Sequence, residues 1–474
     1  MLSGGLSIAL TQVFIVLAGF VAQRVILSTL LKDENGLLVV ERRIADLILI
    51  IIVDFGLNGI AMRRLVQAPE KANEILSSLV AFRFVMLVPA TLICLVSAHV
   101  SGYNLADVAM YCAYLGISSR TGLIRYALEL PFRANVRYAL VSTTSILDAV
   151  LFAGLVYMWQ DRLSPSVVIQ ALLLTAIPGF LIVLLFGETK RIRPKFVSMA
   201  EVRTLVIEAL PVVLVVVLMN VHDKIDAIML DWFTTAEQAG IFGAAYGALA
   251  PVSSTIPMAI ALAMAPGIAR LAIDDIDACR RYAFTAVRFL VVIAVCTSAF
   301  LSVLTPYIIE LVSRGRYIDN QSEFFLFLWM PVPVFLLGFI QELNIAMGNQ
   351  RRNIPVAWML FTGTVIFGLA IIPTYEAHGA IIAKLLTLIG AAAFAIASFT
   401  HVLSQPLPLS LVLRVLLLIA TGVLASNIFP TVLPIPLAAI ASLAVVLVTT
   451  ALLGIVDKND VMKVKGLLFA SRGS

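Results

Sequence analysis

Apolar runs of roughly 18–25 residues recur from one end of this chain to the other, each long enough to cross a bilayer as a helix. Few features constrain a fold more tightly. In hydrocarbon every backbone N–H and C=O must be satisfied within the protein, which leaves helices or closed barrels. A membrane strand needs only about 9–11 residues of alternating polarity, so continuous runs of this length select helices. The composition agrees: 61% of residues are hydrophobic and 13% charged, against about 25% charged in soluble domains. No stretch between the runs could hold a soluble domain. The first run lacks a basic leader and an A-x-A site before it, and is expected to be a retained span. Cys94, Cys112, Cys279 and Cys296 form no CxxC pair, so neither a disulfide framework nor a metal site is expected.

Fourteen spans are expected, over 6–31, 37–61, 79–98, 104–124, 139–159, 167–187, 205–230, 240–269, 284–306, 324–347, 354–374, 379–400, 411–428 and 434–455. The distribution of Lys and Arg tests that count. With the N-terminus cytoplasmic, the even loops and the tail carry Arg63, Arg64 and Lys71, then Arg120 to Arg137, Lys190 to Arg203, Arg270 to Arg281, Arg351 and Arg352, and four in the tail. The odd loops carry Lys32, Arg42, Arg43, Arg162, Arg314 and Arg316. The bias predicts both ends in the cytoplasm and accounts for the net charge of +5 without nucleic acid. Trp159, Trp232, Trp329 and Trp358 fall at span ends, where indole favours the interface.

The chain also matches itself at an offset near 205. DENGLLVV at 33–40 aligns with EQAGIFGA at 237–244, GIAMRRL at 59–65 with APGIARL at 265–271, and FRFVML at 82–87 with VRFLVV at 287–292. ELPFRANVR at 129–137 resembles ELNIAMGNQR at 342–351. An offset of six spans gives both copies one orientation, hence a parallel repeat about an axis along the membrane normal. The expected organisation is an all-α polytopic protein. A six-helix lobe (1–187), a cytoplasmic linker (188–204) and a second six-helix lobe (205–400) surround a central cleft. Two extra helices and a tail (401–474) follow.

DFGLNGIAMRRLV at 54–66 resembles the second-span motif of the bacterial polysaccharide transporter family. The segment 223–271 is similar to that family's seventh and eighth spans: Asp-Lys near an outer end, a short acidic loop, a Gly-Ile-Phe turn and a late Pro. The family shares a superfamily with multidrug antiporters and lipid II flippases. The resemblance implies an inner-membrane flippase for undecaprenyl-pyrophosphate-linked sugar repeats of O-antigen or exopolysaccharide. Its partners would be the lipid-linked substrate, membrane lipids and other polysaccharide-assembly membrane proteins, with no cofactor.

Charges at bilayer depth are costly and therefore mark candidate sites. Arg24 stands alone in span 1, and Lys224 sits at similar depth in span 7, within HDKID at 222–226. With Arg83, Arg288 and Lys384 they are the candidate cations for a pyrophosphate headgroup. Snorkelling is the competing role for Arg83 and Arg288, each about one turn inside its span. Arg120, Arg125 and Arg414 read as interfacial anchors. The buried acids Asp54, Asp148 and Glu342 are candidates for proton or sodium coupling, or simply partners for the arginines.

Three function classes compete. A glycan polymerase or ligase needs a catalytic outer loop, yet the longest, 307–323, has no His and no nucleophile beside a base. ATP-driven transport lacks its G-x-x-x-x-G-K-[ST] loop. A cation-coupled multidrug or small-solute antiporter on the same fold wants buried acids to dominate, whereas a pyrophosphate carrier wants cations. The cations outnumber the acids, which favours the flippase.

Overall fold

The computed structural model describes residues 2–119, 123–135, 138–249, 271, 275–347, 349–403 and 409–456. Among them every regular element is helical, and ten stretches are long and apolar enough to cross a membrane. Most of the expected eighth span, with Pro251, Pro257 and Pro266, lies outside the described residues, as do Arg120, Arg137, Arg270 and the tail from 457.

The chain divides into two compact units, Met1–Ala244 and Ala245–Ser474. The first begins with α1 (Leu2–Thr29) and α2 (Lys32–Leu49). A π turn (Ile50–Asp54) and α3 (Leu57–Gln67) complete the second expected span. Then come α4 (Ala72–Ser101), α5 (Leu105–Ile117), a short α6 (Ile124–Ala134), α7 (Ala139–Met158), α8 (Pro165–Phe186) and α9 (Met199–Phe233). A helix α10, described over 236–249, crosses the boundary between the units. Here α1 packs on α7, α7 and α5 on α8, and α2 on α9. Many side chains on the outward faces of α4 and α8 are exposed and apolar, Val85, Val88, Leu181 and Leu185 among them. That is the surface of a helix meeting lipid, not water. The chain is a multi-pass membrane protein.

The second unit holds α11 (Ile276–Val303), α12 (Thr305–Ser313), α13 (Gln321–Phe327), α14 (Pro331–Ala346), α15 (Asn353–Leu403), α16 (Leu409–Val432) and α17 (Ile435–Leu452). α15 carries both the eleventh and twelfth expected spans, bent at Glu376, whose φ of 53° is left-handed. Pro373 lies three residues earlier and removes a backbone donor at the bend. The loop 307–323 is mostly helical, in α12 and α13. Trp329 departs from its expected interfacial place: it is buried, with its ring 3.0 Å from where a Cβ on Gly422 would stand.

One contact in the first unit bears on the internal repeat. A Cβ on Gly36 would fall 1.6 Å from the Ala236 carbonyl oxygen, and a Cβ on Gly240 would fall 1.8 Å from the Lys32 carbonyl oxygen. Lys32 and Gly36 stand against Ala236 and Gly240 at one offset, 204 residues. The contact is therefore reciprocal, as a two-fold axis through the crossing requires. Only glycine lets the two backbones approach so closely. Asn35 Nδ2 adds a hydrogen bond to the Gly240 carbonyl at 2.9 Å.

Candidate functional site

The stretch DFGLN is a deliberate break in a membrane helix. The β-branched run Ile50–Val53 weakens α-helical preference, and the turn closes as a π turn, with Phe55 N–H donating to the Ile50 carbonyl at 3.0 Å. Phe55 and Gly56 are both left-handed, at φ 50° and 68°. Arg83 of α4 holds this break together. Its guanidinium donates to Asp54 Oδ1 at 3.0 Å, to Asn58 Oδ1 at 2.7 Å and to the Leu123 carbonyl at 2.7 Å. Asn58 Nδ2 donates in turn to Asp54 at 2.6 Å. Arg83 is fully buried, so it does not snorkel; its charge is met by a carboxylate and two further oxygen acceptors. The remaining basic residues of the motif reach α9. Arg64 bonds Glu201 at 3.0 Å and Glu208 at 2.8 Å, and Arg63 bonds Glu208 at 2.5 Å.

A second network lies on α6. Arg125, Glu129 and Arg133 are spaced i, i+4, i+8 and share one face. Arg125 Nε donates to Glu129 at 3.0 Å, and its Nη1 donates to Asp148 of α7 at 2.6 Å. Arg133 Nη2 donates to Glu129 at 2.8 Å, with its guanidinium 4.2 Å from the centre of the Tyr126 ring. Arg125 is fully buried, not the interfacial anchor expected of it. Gly179 of α8 makes room: a Cβ there would stand 2.1 Å from Asp148 Oδ1 and 2.9 Å from the Arg125 guanidinium. The spacing on α6 was readable in the sequence, but its nearness to a span end made Arg125 and Arg133 look like loop charges.

Beside this network is a cavity of about 570 Å³ within the first unit. Arg133, Asp148 and Asn58 border it, and the hydroxyl-bearing residues Ser118, Ser119, Ser145, Thr175, Tyr114 and Tyr126 also line it. Ile15, Phe152 and Leu172 form apolar wall.

The HDKID cluster is a third network, between α9 and α2. Lys224 Nζ stands 3.3 Å from Asp223 and 3.7 Å from Asp46. Arg43 donates to the Asp223 carbonyl at 2.7 Å, while Tyr111 donates to Asp46 at 3.0 Å. His222 and Asp226, one turn apart, are both buried. In the loop after α4, the Tyr103 phenol donates to Asp231. Burial first, and this hydrogen bond second, push the phenol above its ordinary range, so it stays a donor.

Of the candidates named from sequence, Asp54 meets Arg83, Asp148 meets Arg125, and Lys224 meets Asp46 and Asp223. Arg24 is exposed on α1 and has no ion-pair partner among the described residues. In the second unit Arg288 is half-buried on α11 and Glu342 half-buried on α14. Lys384 is buried on α15 with its ammonium 5.7 Å from the Tyr246 ring centre, and Tyr246 meets Phe327 edge-on.

This helical order is a fold that solved flippase and multidrug-transporter structures share. It superposes on the lipid II flippase MurJ in an inward closed conformation, with TM-score 0.68 and 11% identity over 95% of this chain and 98% of that one. It also matches an inward-facing multidrug resistance MATE transporter of the MOP superfamily, with TM-score 0.64 and 13% identity over 82% and 94%. A third match is a MOP superfamily transporter from Pyrococcus furiosus, with TM-score 0.55 and 14% identity over 83% and 95%. Among curated proteins, no sequence matches significantly. The family model described as polysaccharide biosynthesis protein matches residues 1–272, and the chain belongs to that family.

Proposed function

We propose that this chain flips undecaprenyl-pyrophosphate-linked oligosaccharide repeat units across the bacterial inner membrane for O-antigen or exopolysaccharide assembly. Both termini lie in the cytoplasm, and the lobes 1–187 and 205–400 alternate around the cleft. Family membership supports a role in polysaccharide assembly, and the lipid II flippase named among the structures of this fold supports a lipid-linked cargo. One observation weighs most against the competing reading, a cation-coupled multidrug antiporter. Each sequence-predicted acid of the first unit is already held by an arginine, Asp54 by Arg83 and Asp148 by Arg125. An acid committed to a guanidinium at such distances is a poor exchange site for a drug cation. The Pyrococcus furiosus transporter is described as having reversed binding-pocket polarity that suggests a different function; the sign of the site is likewise the deciding feature here.

Arg24, exposed and with no ion-pair partner among the described residues, is the first contact of the pyrophosphate, and Lys224, Arg83, Arg288 and Lys384 are the further candidate cations. Glu342, Asp54 and Asp148 are secondary coupling groups. The test uses proteoliposomes with a fluorescent lipid-linked oligosaccharide, and a cationic dye in parallel. The wild type should flip the lipid and leave the dye, and Arg24→Ala should lose flipping at normal protein level. Arg24→Lys should be partly active if charge outweighs the bidentate fork. Extrusion of the dye without movement of the lipid would establish the antiporter instead.

A further inference from the structure

We infer that the cavity of the first unit is a glycan subsite holding one sugar ring of the carried oligosaccharide, an inference that rests on the flippase reading above. Its volume of about 570 Å³ lies within the ~300–1,000 Å³ of small-molecule sites. The lining is the informative part. Ser118, Ser119, Ser145, Thr175, Tyr114 and Tyr126, all hydroxyl-bearing, line one space. A hydroxyl both donates and accepts, so a ring of them complements another polyol better than it complements an ion of fixed sign. Phe152 offers an apolar face against which the C–H side of a pyranose can lie.

The charges beside the cavity favour the same ligand. Asp148 is bound to Arg125 at 2.6 Å, and Arg133 is bound to Glu129 at 2.8 Å. The two matched pairs leave no large excess of either sign to capture a pyrophosphate or a metal ion. Thr175 donates to the Ala171 carbonyl at 2.8 Å, which leaves its oxygen as an acceptor. The proposal thus divides the cargo: the pyrophosphate uses the exposed cation Arg24, and a sugar of the repeat unit enters the hydroxyl-lined cavity.

Two lipids separate the roles in proteoliposomes of the full chain: undecaprenyl pyrophosphate bearing an oligosaccharide, and the same lipid without sugar. Ser119 and Ser145 are half-buried on the cavity wall, so Ser119→Phe and Ser145→Phe fill it from positions that tolerate a larger group. Both should slow the glycan-bearing lipid at least ~10-fold, the equivalent of 1.4 kcal/mol, and leave the bare lipid within about 2-fold. The Ser119→Ala/Ser145→Ala double variant removes only hydrogen bonds and should slow the glycan lipid roughly 3–10-fold; it decides the matter if the Phe variants fail to fold. Unchanged transport of both lipids would make this a solvent-filled cavity only. Equal loss of both lipids would reduce the residues to a structural role. Movement of neither lipid by the wild type would instead overturn the flippase reading itself.

Discussion

Replacing Arg83 with methionine should be among the most damaging single changes in the first unit. Arg83 is 0% exposed and makes hydrogen bonds of 2.7–3.0 Å to three different oxygens, on the π turn, on α3 and at the start of α6. Methionine fills a similar volume, so the cost is electrostatic and not a cavity. Asp54, whose side chain is only 14% exposed, would then lose its counter-charge. Removing one partner of a buried pair costs about 3–5 kcal/mol, because the other charge stays uncompensated. The Arg83→Met/Asp54→Asn double variant removes that orphan charge. It should recover part of the loss, with a coupling energy of roughly 0.5–3 kcal/mol. Thermal or denaturant unfolding of the purified protein in detergent measures the cycle. If the two single changes simply add, Asp54 does not depend on Arg83, and the account of the helix break as an arginine-held latch is refuted.

The reciprocal glycine contact predicts that Gly240→Leu, and equally Gly36→Leu, force α2 and α10 apart; each should lower the melting temperature measurably, whereas Gly59→Ala, with open space around its Cβ position, should not. Tyr103→Phe removes the donor to Asp231 and should cost about 1.5–3 kcal/mol, as for bonds to charged groups. Because the folded phenol is held above its ordinary range, the wild-type advantage should be constant from pH 6 to 9. It should shrink above about pH 10, where the unfolded phenol ionises first; an advantage that instead grows with pH would contradict that sign. Cysteine labelling should place loop 188–204 in the cytoplasm, and labelling from outside would sink the topology and the lobe division together. A lipid pyrophosphate with about two negative charges gains roughly 4–5 kcal/mol on moving outward across 100 mV, so collapsing the potential at constant pH and sodium should slow flipping; a rate that follows only an ion gradient, and loses that dependence in Asp148→Asn, would show ion coupling instead.

What could be read in the sequence was whatever depends on local hydropathy. A run of apolar residues must close its backbone hydrogen bonds internally in lipid, so the helices followed almost one for one, including the pair joined through the bend at Glu376. Gly36 and Gly240 keep one register in the sequence, and no other residue type permits that backbone approach. The isolated cation Arg24 was also visible, since one charge in an apolar helix stands out whatever surrounds it. Pairing was not visible. Arg83 and Asp54 are 29 residues apart, Arg125 and Asp148 are 23, and Lys224 and Asp46 are 178. A charge two turns from a span end looks interfacial in one dimension, yet α6 is a short separate helix that carries Arg125 into the bundle against Gly179. Whether an arginine snorkels or buries depends on a carboxylate on another helix facing it at about 3 Å. Helix rotation and packing decide that, so only the tertiary structure could turn a list of costly charges into three networks and a hydroxyl-lined cavity.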